Sequence, residues 1–139
     1  RFVDADIAIM CAAVADYCVE NVAQSKIKRE KDDIPVIRLK KNPDIARAIG
    51  MMKRPGQVTV GFALETDNEQ FHAIDKLERK NLDFIVLNTL RDKGAGFKTD
   101  TNKVTIMRRN GVNSAGELKD KRLVARDIVD VLSKEYLNQ

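Results

Sequence analysis

Apolar and polar residues alternate along the chain in blocks that predict strands separated by helices. The stretch Asp6–Val14 is a near-continuous apolar run, which is typical of a strand buried on both faces. Residues 58–64 (VTVGFAL) and 83–88 (DFIVLN) have the same character, and Ile34–Leu39 predicts a short strand. A further strand is predicted within residues 103–110, where KVTIMRRNG ends in an Asn-Gly turn.

Three further segments have apolar residues spaced three or four apart, which predicts helices. The first, NPDIARAIGMMK, offers Asn42 as a cap and Pro43 at the first helical position. The polar stretch Tyr17–Asp33 has only weak periodicity and predicts a long loop. Strands that alternate with helices indicate an α/β fold, with a Rossmann-like, mostly parallel sheet flanked by helices and a small β element near residues 103–110. The helices are predicted over residues 42–53, 67–80 and 120–137, all within a single domain that spans residues 1–139.

Composition narrows the function classes. The 139 residues are 43% hydrophobic and 33% charged, which suits a globular fold, and no apolar run approaches the roughly 18 residues of a membrane span. With no Trp and only 5% aromatic residues, the chain has little material for stacking single-stranded nucleic acid. Cys11 and Cys18 form no CxxC pair and His72 stands alone, so a zinc site is not indicated. We therefore expect a cytoplasmic protein that binds neither a membrane nor nucleic acid.

Ligands in open α/β sheets bind at the carboxyl ends of the strands, and several suggestive residues follow the predicted strands here. Small residues begin at Ala12, and Asp16 suits a sugar, a base or a metal; a plain turn aspartate is an equal alternative. The helix start at residues 43–46 offers free backbone N–H groups, as every helix does. Phe62 ends a strand where a ring can lie against a nucleobase, although a core position is the commoner role.

Lysines supply positive charge near these strand ends. Lys26 lies in the long polar loop, and a lysine carried on a lid neutralises charge that develops during a reaction. Lys76 and Lys80 are four residues apart and share a helix face, where they repel each other unless an anion joins them. For each of these lysines, a solvated surface is the simpler alternative. Together the signals favour a phosphate-rich nucleotide site with a basic lid.

Six linked motifs resemble those of a known family. They are CAAVADY, SKIK, KNPDI, VGFALET, KLERKNLDFIVLN and GAGFKTDTNKVTI. In this order and spacing, from about Ala5 to Leu132, the chain resembles the phosphopantothenate–cysteine ligases, the CTP-dependent synthetase domain of the bifunctional bacterial coenzyme A biosynthesis protein. That domain begins with a glycine-rich strand and turn that nothing before Arg1 resembles. We therefore expect the chain to be the C-terminal part of such a domain.

The resemblance implies a reaction in two steps. CTP, accompanied by Mg²⁺, activates the carboxylate of 4′-phosphopantothenate to an acyl-cytidylate and releases pyrophosphate. The amine of L-cysteine then attacks, which gives phosphopantothenoylcysteine and CMP. The resemblance also implies a homodimer with the lid near the partner subunit, and it places FMN only in a fused decarboxylase domain outside this chain.

The same resemblance assigns residues by motif. Lys26 of SKIK would close over the site and stabilise the activated carbonyl, which is the most nearly catalytic role. Lys76 and Lys80 would hold the phosphates of the nucleotide. No metal ligand is assigned. The other nucleotide contacts would come from Met10, Cys11, Ala12, Asp16, Pro43, Asp44, Ile45, Ala46 and Phe62.

Two alternatives stay open. Without the glycine-rich turn, the chain would be a nucleotide-binding fragment that does not turn over, and it would then release no pyrophosphate. A basic α/β module would instead bind RNA or DNA through the basic residues of 26–31 and 76–80. Such a module would show a steep salt dependence and no preference for CTP over ATP.

Overall fold

Backbone hydrogen bonds in the computed structural model, which describes residues 2–27, 36–89 and 99–137, organise the chain into short sheets and three α-helices. A 3₁₀ turn at Phe2–Asp4 precedes the first strand, and a π-helical turn at Ser133–Leu137 extends the last helix. The helices are α1 (Ile45–Met52), α2 (Glu69–Arg79) and α3 (Lys121–Leu132). The strands are β1 (Ile7–Met10), β2 (Tyr17–Val19), β3 (Leu39–Lys41), β4 (Val58–Glu65), β5 (Phe84–Thr89), β6 (Thr101–Asn102), β7 (Val104–Arg108), β8 (Ser114–Ala115) and β9 (Lys119–Asp120).

The main sheet has five strands in the order β1-β4-β5-β7-β8. Strands β1, β4 and β5 run parallel to one another, whereas β7 and β8 are antiparallel to their neighbours. The predicted α/β class with parallel strands at its core is therefore confirmed. The predicted β element near residues 103–110 is β7, and the loop that follows it contains Gly111 with a φ of +80°. A positive φ suits glycine, which explains the Asn-Gly pair in the sequence.

Helices cover both faces of this sheet. Alternate residues of a strand point to opposite faces, so β4 and β5 contribute side chains to two separate apolar clusters. This arrangement explains the continuous apolar runs VTVGFAL and DFIVLN. One cluster joins Val58, Val60, Phe84, Val86, Val104 and Ile106 to Val124, Ile128 and Leu132 of α3; the other joins Ala63, Ile85, Leu87 and Met107 to Ala73 and Leu77 of α2 and to Leu82.

The first strand differs from its prediction. β1 ends at Met10, not Val14, and it is an edge strand of the main sheet in which Ile9 is 42% exposed. The prediction of a strand buried on both faces is therefore wrong, because an apolar run does not show whether a strand has one neighbour or two. The segment Tyr17–Asp33, predicted as a loop, contains β2. β2 pairs with β3, which begins where the predicted strand Ile34–Leu39 was expected to end; residues 34 and 35 lie outside the described ones.

Residue contacts divide the chain into two compact units. The sheet unit consists of Arg1–Cys11 and Ala46–Gln139, and the hairpin unit consists of Ala12–Ile45, which contains β2 and β3. The expectation of a single domain over residues 1–139 stays a prediction. Within the described ranges, no helix is both long enough and apolar enough to cross a membrane.

The π-helical turn fastens the end of α3 to the main sheet. Arg108 binds the carboxylate of Glu135 through Nε and Nη2, with N–O distances of 2.7–3.0 Å. The ring of Tyr136 meets Phe84 edge to face, with 5.0 Å between ring centroids. Burial raises the pKa of Tyr136 above its ordinary value of 10.0, and the carboxylates of Asp83 and Glu135 add to this while Arg108 opposes it.

Helix α1 approaches the end of α2 at Gly50. A Cβ atom at this position would lie 1.9 Å from the carbonyl oxygen of Lys80. Because backbone would have to move, we expect Gly50→Ala to lower the free energy of unfolding by about 2–3 kcal/mol, measured by urea titration. Ala48→Ser, at an exposed position of the same helix, is the control and should change stability by less than about 0.5 kcal/mol. Equal effects of the two substitutions would rule out the close approach.

Candidate functional site

The parallel strands of the sheet unit bring two of the predicted site residues to the same sheet edge. Met10 is in register with Gly61, so Phe62 lies one residue further along the neighbouring strand. Met10 packs against the apolar cluster under α2. Phe62 lies two residues after Val60 and so projects from the same face as Val60, opposite to the face on which Met10 packs, and it is 38% exposed. Cys11 follows directly as an exposed free thiol. An exposed ring at the carboxyl end of a parallel strand is suited to contact with a ligand.

Lys76 is engaged by a carboxylate at the end of β4. Its Nζ donates to Oε1 of Glu65 at 2.5 Å, and the two side chains are 34% and 14% exposed. Glu65 is the last residue of β4, three residues after Phe62, so the ammonium group of Lys76 lies close to the carboxyl end of this strand. A nucleotide phosphate at this ammonium would therefore compete with Glu65, a residue that the sequence did not single out.

Lys80 lies one helical turn beyond Lys76, as the spacing predicted. It caps the C-terminal end of α2, and its N–H donates to the carbonyl oxygen of Lys76 at 3.0 Å. Its own carbonyl oxygen is the group that faces Gly50. Since α2 runs back along the sheet, Lys80 lies further from the carboxyl ends of the strands than Lys76 does. Phosphate binding by these two lysines stays a prediction.

The hairpin unit brings Asp16 next to the segment before α1. The N–H of Asn42 donates to the carbonyl oxygen of Asp16 at 2.8 Å, and its side-chain amide donates to that of Ala15 at 2.8 Å. Asn42 was predicted to cap α1, but its amide instead ties Ala15 to the segment between β3 and α1, and α1 begins at Ile45. The predicted contacts Ala12, Asp16, Lys26, Pro43, Asp44 and Ile45 are all exposed within this unit, and Ala46 is half-buried in the first turn of α1.

The hairpin unit has no buried residue within its described ranges, 12–27 and 36–45. A two-stranded sheet alone is marginally stable in water, because it has too little apolar surface to bury. Yet the unit is rich in apolar side chains. Those of β2, β3 and the adjoining residues are exposed by 40% to 86%: Tyr17, Val19, Val22, Ile27, Val36, Ile37 and Leu39.

The described residues hold no ready-made metal centre. No group of three or more His, Cys, Asp or Glu side chains lies close enough together in these ranges to hold an ion. Mg²⁺ keeps several waters and usually binds one or two carboxylates together with substrate phosphates. Binding of Mg²⁺ together with the nucleotide stays a prediction.

Two polar residues at the end of β5 were missed by the sequence interpretation. The hydroxyl of Thr89 donates to Oε1 of Glu69 at 3.0 Å, which ties the end of the strand to the first turn of α2. Asn88 has a buried side-chain oxygen. The available signal was the end of DFIVLN itself, where an asparagine closes an apolar strand at the edge that binds ligands.

Comparison with known proteins assigns the chain to a family. The family described as the DNA/pantothenate metabolism flavoprotein C-terminal domain matches residues 1–136. The chain belongs to this family. Its membership accords with the motifs that resemble the phosphopantothenate–cysteine ligases, and that resemblance is confirmed.

Two curated relatives each match more than nine-tenths of this chain. The chain is 49% identical over 128 residues to a cysteine/cysteine sulfinic acid decarboxylase of an unknown prokaryotic organism, covering 92% of this chain and 35% of that protein. It is 45% identical over 130 residues to the coenzyme A biosynthesis bifunctional protein CoaBC of Haemophilus influenzae, covering 94% and 32%. The chain thus spans about a third of the length of these relatives.

A solved structure confirms the Rossmann-like fold of this family member. The crystal structure of the C-terminal domain of a coenzyme A biosynthesis bifunctional protein CoaBC superimposes with a TM-score of 0.77 at 33% identity. The match covers 99% of this chain and 58% of that one. The roles assigned to individual residues stay predictions.

Proposed function

We propose that this chain binds CTP and forms part of an enzyme that joins 4′-phosphopantothenate to L-cysteine in coenzyme A biosynthesis. The observation that carries the proposal is the register of β1 with β4, which sets Met10 and the exposed ring of Phe62 at one ligand-binding edge. Family membership and the name of the CoaBC relative support it. Ligation is preferred to the decarboxylation in the other relative's name, because the six motifs of this chain resemble those of the phosphopantothenate–cysteine ligases and a solved C-terminal domain of CoaBC has the same fold.

The proposed reaction has two steps, activation of the carboxylate and attack by the amine. A carboxylate oxygen of 4′-phosphopantothenate attacks the α-phosphorus of CTP, and pyrophosphate leaves. The amine of cysteine then attacks the acyl carbon, the amide bond forms as the amine loses its proton, and CMP leaves. Lys26 donates to the carbonyl oxygen as negative charge develops on it. Asp16 is a carboxylate of this chain that would hold Mg²⁺, and the ion would supply positive charge to offset that of the triphosphate.

Isothermal titration of the full-length protein with CTP and Mg²⁺, with ATP as the comparison, tests the nucleotide half of the proposal. Saturable binding that favours CTP supports it. Pyrophosphate release that needs both CTP and 4′-phosphopantothenate then separates a ligase from a nucleotide-binding protein without turnover. Equal binding of CTP, ATP and polyanions, with a steep salt dependence, would favour the basic nucleic-acid module.

Lys76 and Lys80 should contribute more to the binding of CTP than to the binding of CMP, because CTP has two more phosphates. We expect Lys76→Ala and Lys80→Ala each to weaken CTP binding about tenfold and CMP binding less than threefold, since a charge-assisted contact contributes about 1.5 kcal/mol. Glu65→Gln should tighten CTP binding severalfold, because it releases Lys76 from a competing carboxylate. Lys119→Ala, which removes the partner of Asp127, is the matched control. Equal losses for CTP and CMP would refute phosphate binding by these lysines.

A homodimer is the second part of the proposal, and the exposed apolar side chains of the hairpin unit support it. Val19 and Leu39 face each other across β2 and β3, and they are 40% and 59% exposed. A second copy that covers them would supply the burial that the unit lacks. We expect Leu39→Asp to convert a dimer to a monomer in analytical ultracentrifugation. Val112→Asp, 58% exposed in the loop between β7 and β8, should leave the dimer intact.

A further inference from the structure

The side-chain oxygen of Asn88 is buried without a hydrogen-bond partner in the part of the chain that the structure describes. Leaving a buried acceptor unpaired is costly, so such groups are rare in folded proteins. Asn88 lies in β5 one residue before its end, at the carboxyl edge of the sheet unit. The unpaired oxygen therefore lies where open α/β sheets bind their ligands.

On the β4 side, the neighbours of Asn88 on the same face are apolar and partly exposed, whereas Val104, its partner on β7, is buried. Leu64 of β4 is its partner in register, and Phe62 lies two residues earlier on that strand, so all three side chains project from one face. Leu64 is 37% and Phe62 38% exposed. Phe62 and Asn88 are diagonal neighbours across the parallel pair β4–β5, which places them close enough for one flat heterocycle to reach both. The surface thus combines a ring, an aliphatic side chain and one unsatisfied acceptor.

We propose that Asn88 determines base specificity: its amide oxygen accepts a hydrogen bond from the exocyclic amino group of a nucleobase that lies against Phe62. The inference rests on the proposed nucleotide-binding function and deepens it. Cytosine carries an amino donor where uracil carries a carbonyl acceptor, so an acceptor at this position favours cytidine nucleotides. A site built to hydrogen-bond one group rejects the analogue that leaves its own acceptor unpaired.

Asn88 can present this oxygen at little cost. The side chain is half-buried, and the torsion that turns its amide is broad for asparagine. The oxygen has no hydrogen bond in the described structure that it would have to give up. Ligand binding therefore satisfies an acceptor that the fold leaves unpaired.

Two substitutions of Asn88 distinguish the effect of its hydrogen-bond acceptor from the effect of its side-chain shape. Leucine has nearly the shape of asparagine and no polar atoms, so Asn88→Leu should keep or raise the melting temperature while it removes the base contact. Asn88→Asp keeps an acceptor and removes the amide donor, which could otherwise turn toward the carbonyl of uracil. Asn113→Ala, exposed in the loop between β7 and β8, is the matched control.

The experiment is titration of the full-length protein and each variant with CMP and UMP, which removes the triphosphate from the comparison. We expect wild type, Asn113→Ala and Asn88→Asp to bind CMP about tenfold more tightly than UMP, and Asn88→Leu to bind the two about equally. A wild-type preference that survives in Asn88→Leu overturns the inference, as does a wild type that binds CMP and UMP equally, and both leave nucleotide binding in place. Failure of the wild type to bind CMP, UMP or CTP overturns the proposed function together with the inference.

Discussion

Asp83→Ala is expected to lower the free energy of unfolding by about 3–5 kcal/mol. The carboxylate of Asp83 accepts from Nζ of Lys53 at 2.7 and 2.8 Å, and from the N–H and the hydroxyl of Thr59 at 2.7 and 3.0 Å. Thr59 is fully buried, and the side chains of Lys53 and Asp83 are 14% and 22% exposed. Removing the carboxylate leaves the shielded ammonium without its counter-charge and the buried N–H of Thr59 without an acceptor, although the carbonyl oxygen of Asn81 still accepts from Lys53 and from the Thr59 hydroxyl. Loss of one partner of a shielded pair costs far more than the net value of the intact pair.

Urea titration at neutral pH measures this loss against a matched control. Asp75 forms an ion pair with Arg79 one turn away on α2, with both side chains more than half exposed. Asp75→Ala should therefore cost less than about 0.5 kcal/mol, because water screens exposed pairs. Asp83→Asn should fall between the two, since its amide oxygen can still accept from Thr59. A loss for Asp83→Ala no larger than that for Asp75→Ala would show that this network does not hold β4 to β5.

The elements predicted best from the sequence are those in which buried positions follow the period of a strand or a helix. The strands β4 and β5 were predicted because each is covered on both faces and therefore has a continuous apolar run. Helix α3 was predicted because it packs along one face and therefore has an apolar stripe. β1 has a similar apolar run, yet it lies at an edge and Ile9 is exposed. Short strands such as β6 and β8 have two residues each, too few for any period to appear.

Tertiary contacts decided what local pattern could not. In the sequence, Phe71, Ile74 and Leu77 form an apolar stripe along the helix predicted over residues 67–80. In the structure, Phe71 and Ile74 are 71% and 43% exposed, whereas Leu77 and Ala73 are buried. The shared helix face of Lys76 and Lys80 followed from spacing alone. The pairing of Lys76 with Glu65, eleven residues earlier, depends on how β4 meets α2 and has no signature in sequence.

The candidate site divides in the same way. Residues at strand ends, such as Met10 and Phe62, could be predicted because parallel strands must end at a common edge. The end of DFIVLN places Asn88 where ligands bind, but the pattern does not show whether its side chain pairs with a neighbour. Only the structure shows that its oxygen is buried and has no hydrogen-bond partner among the described residues.

Lys26→Ala is expected to slow formation of phosphopantothenoylcysteine by about 100- to 1,000-fold while CTP binding changes less than threefold. Lys26 is exposed in the hairpin unit, away from any role in a core. Its proposed contact is with the carbonyl oxygen, where negative charge develops only during reaction, and removing one such donor typically costs this factor. The loss should therefore appear in the rate and not in the affinity for nucleotide.

Single-turnover assays on the full-length protein locate the step. Pyrophosphate release reports formation of the acyl-cytidylate, and the subsequent appearance of CMP reports attack by cysteine. Lys41→Ala removes a similarly exposed lysine from β3 of the same unit and should leave both rates within about twofold of wild type. If Lys26→Ala abolished CTP binding, the side chain would be a ground-state ligand of the nucleotide and the lid role would be wrong. Because the carbonyl oxygen gains negative charge only when cysteine attacks the acyl carbon, we expect the slowing to appear in CMP release, with pyrophosphate release within about threefold of wild type. Slowing of pyrophosphate release instead would show that Lys26 acts on the attack at the α-phosphorus.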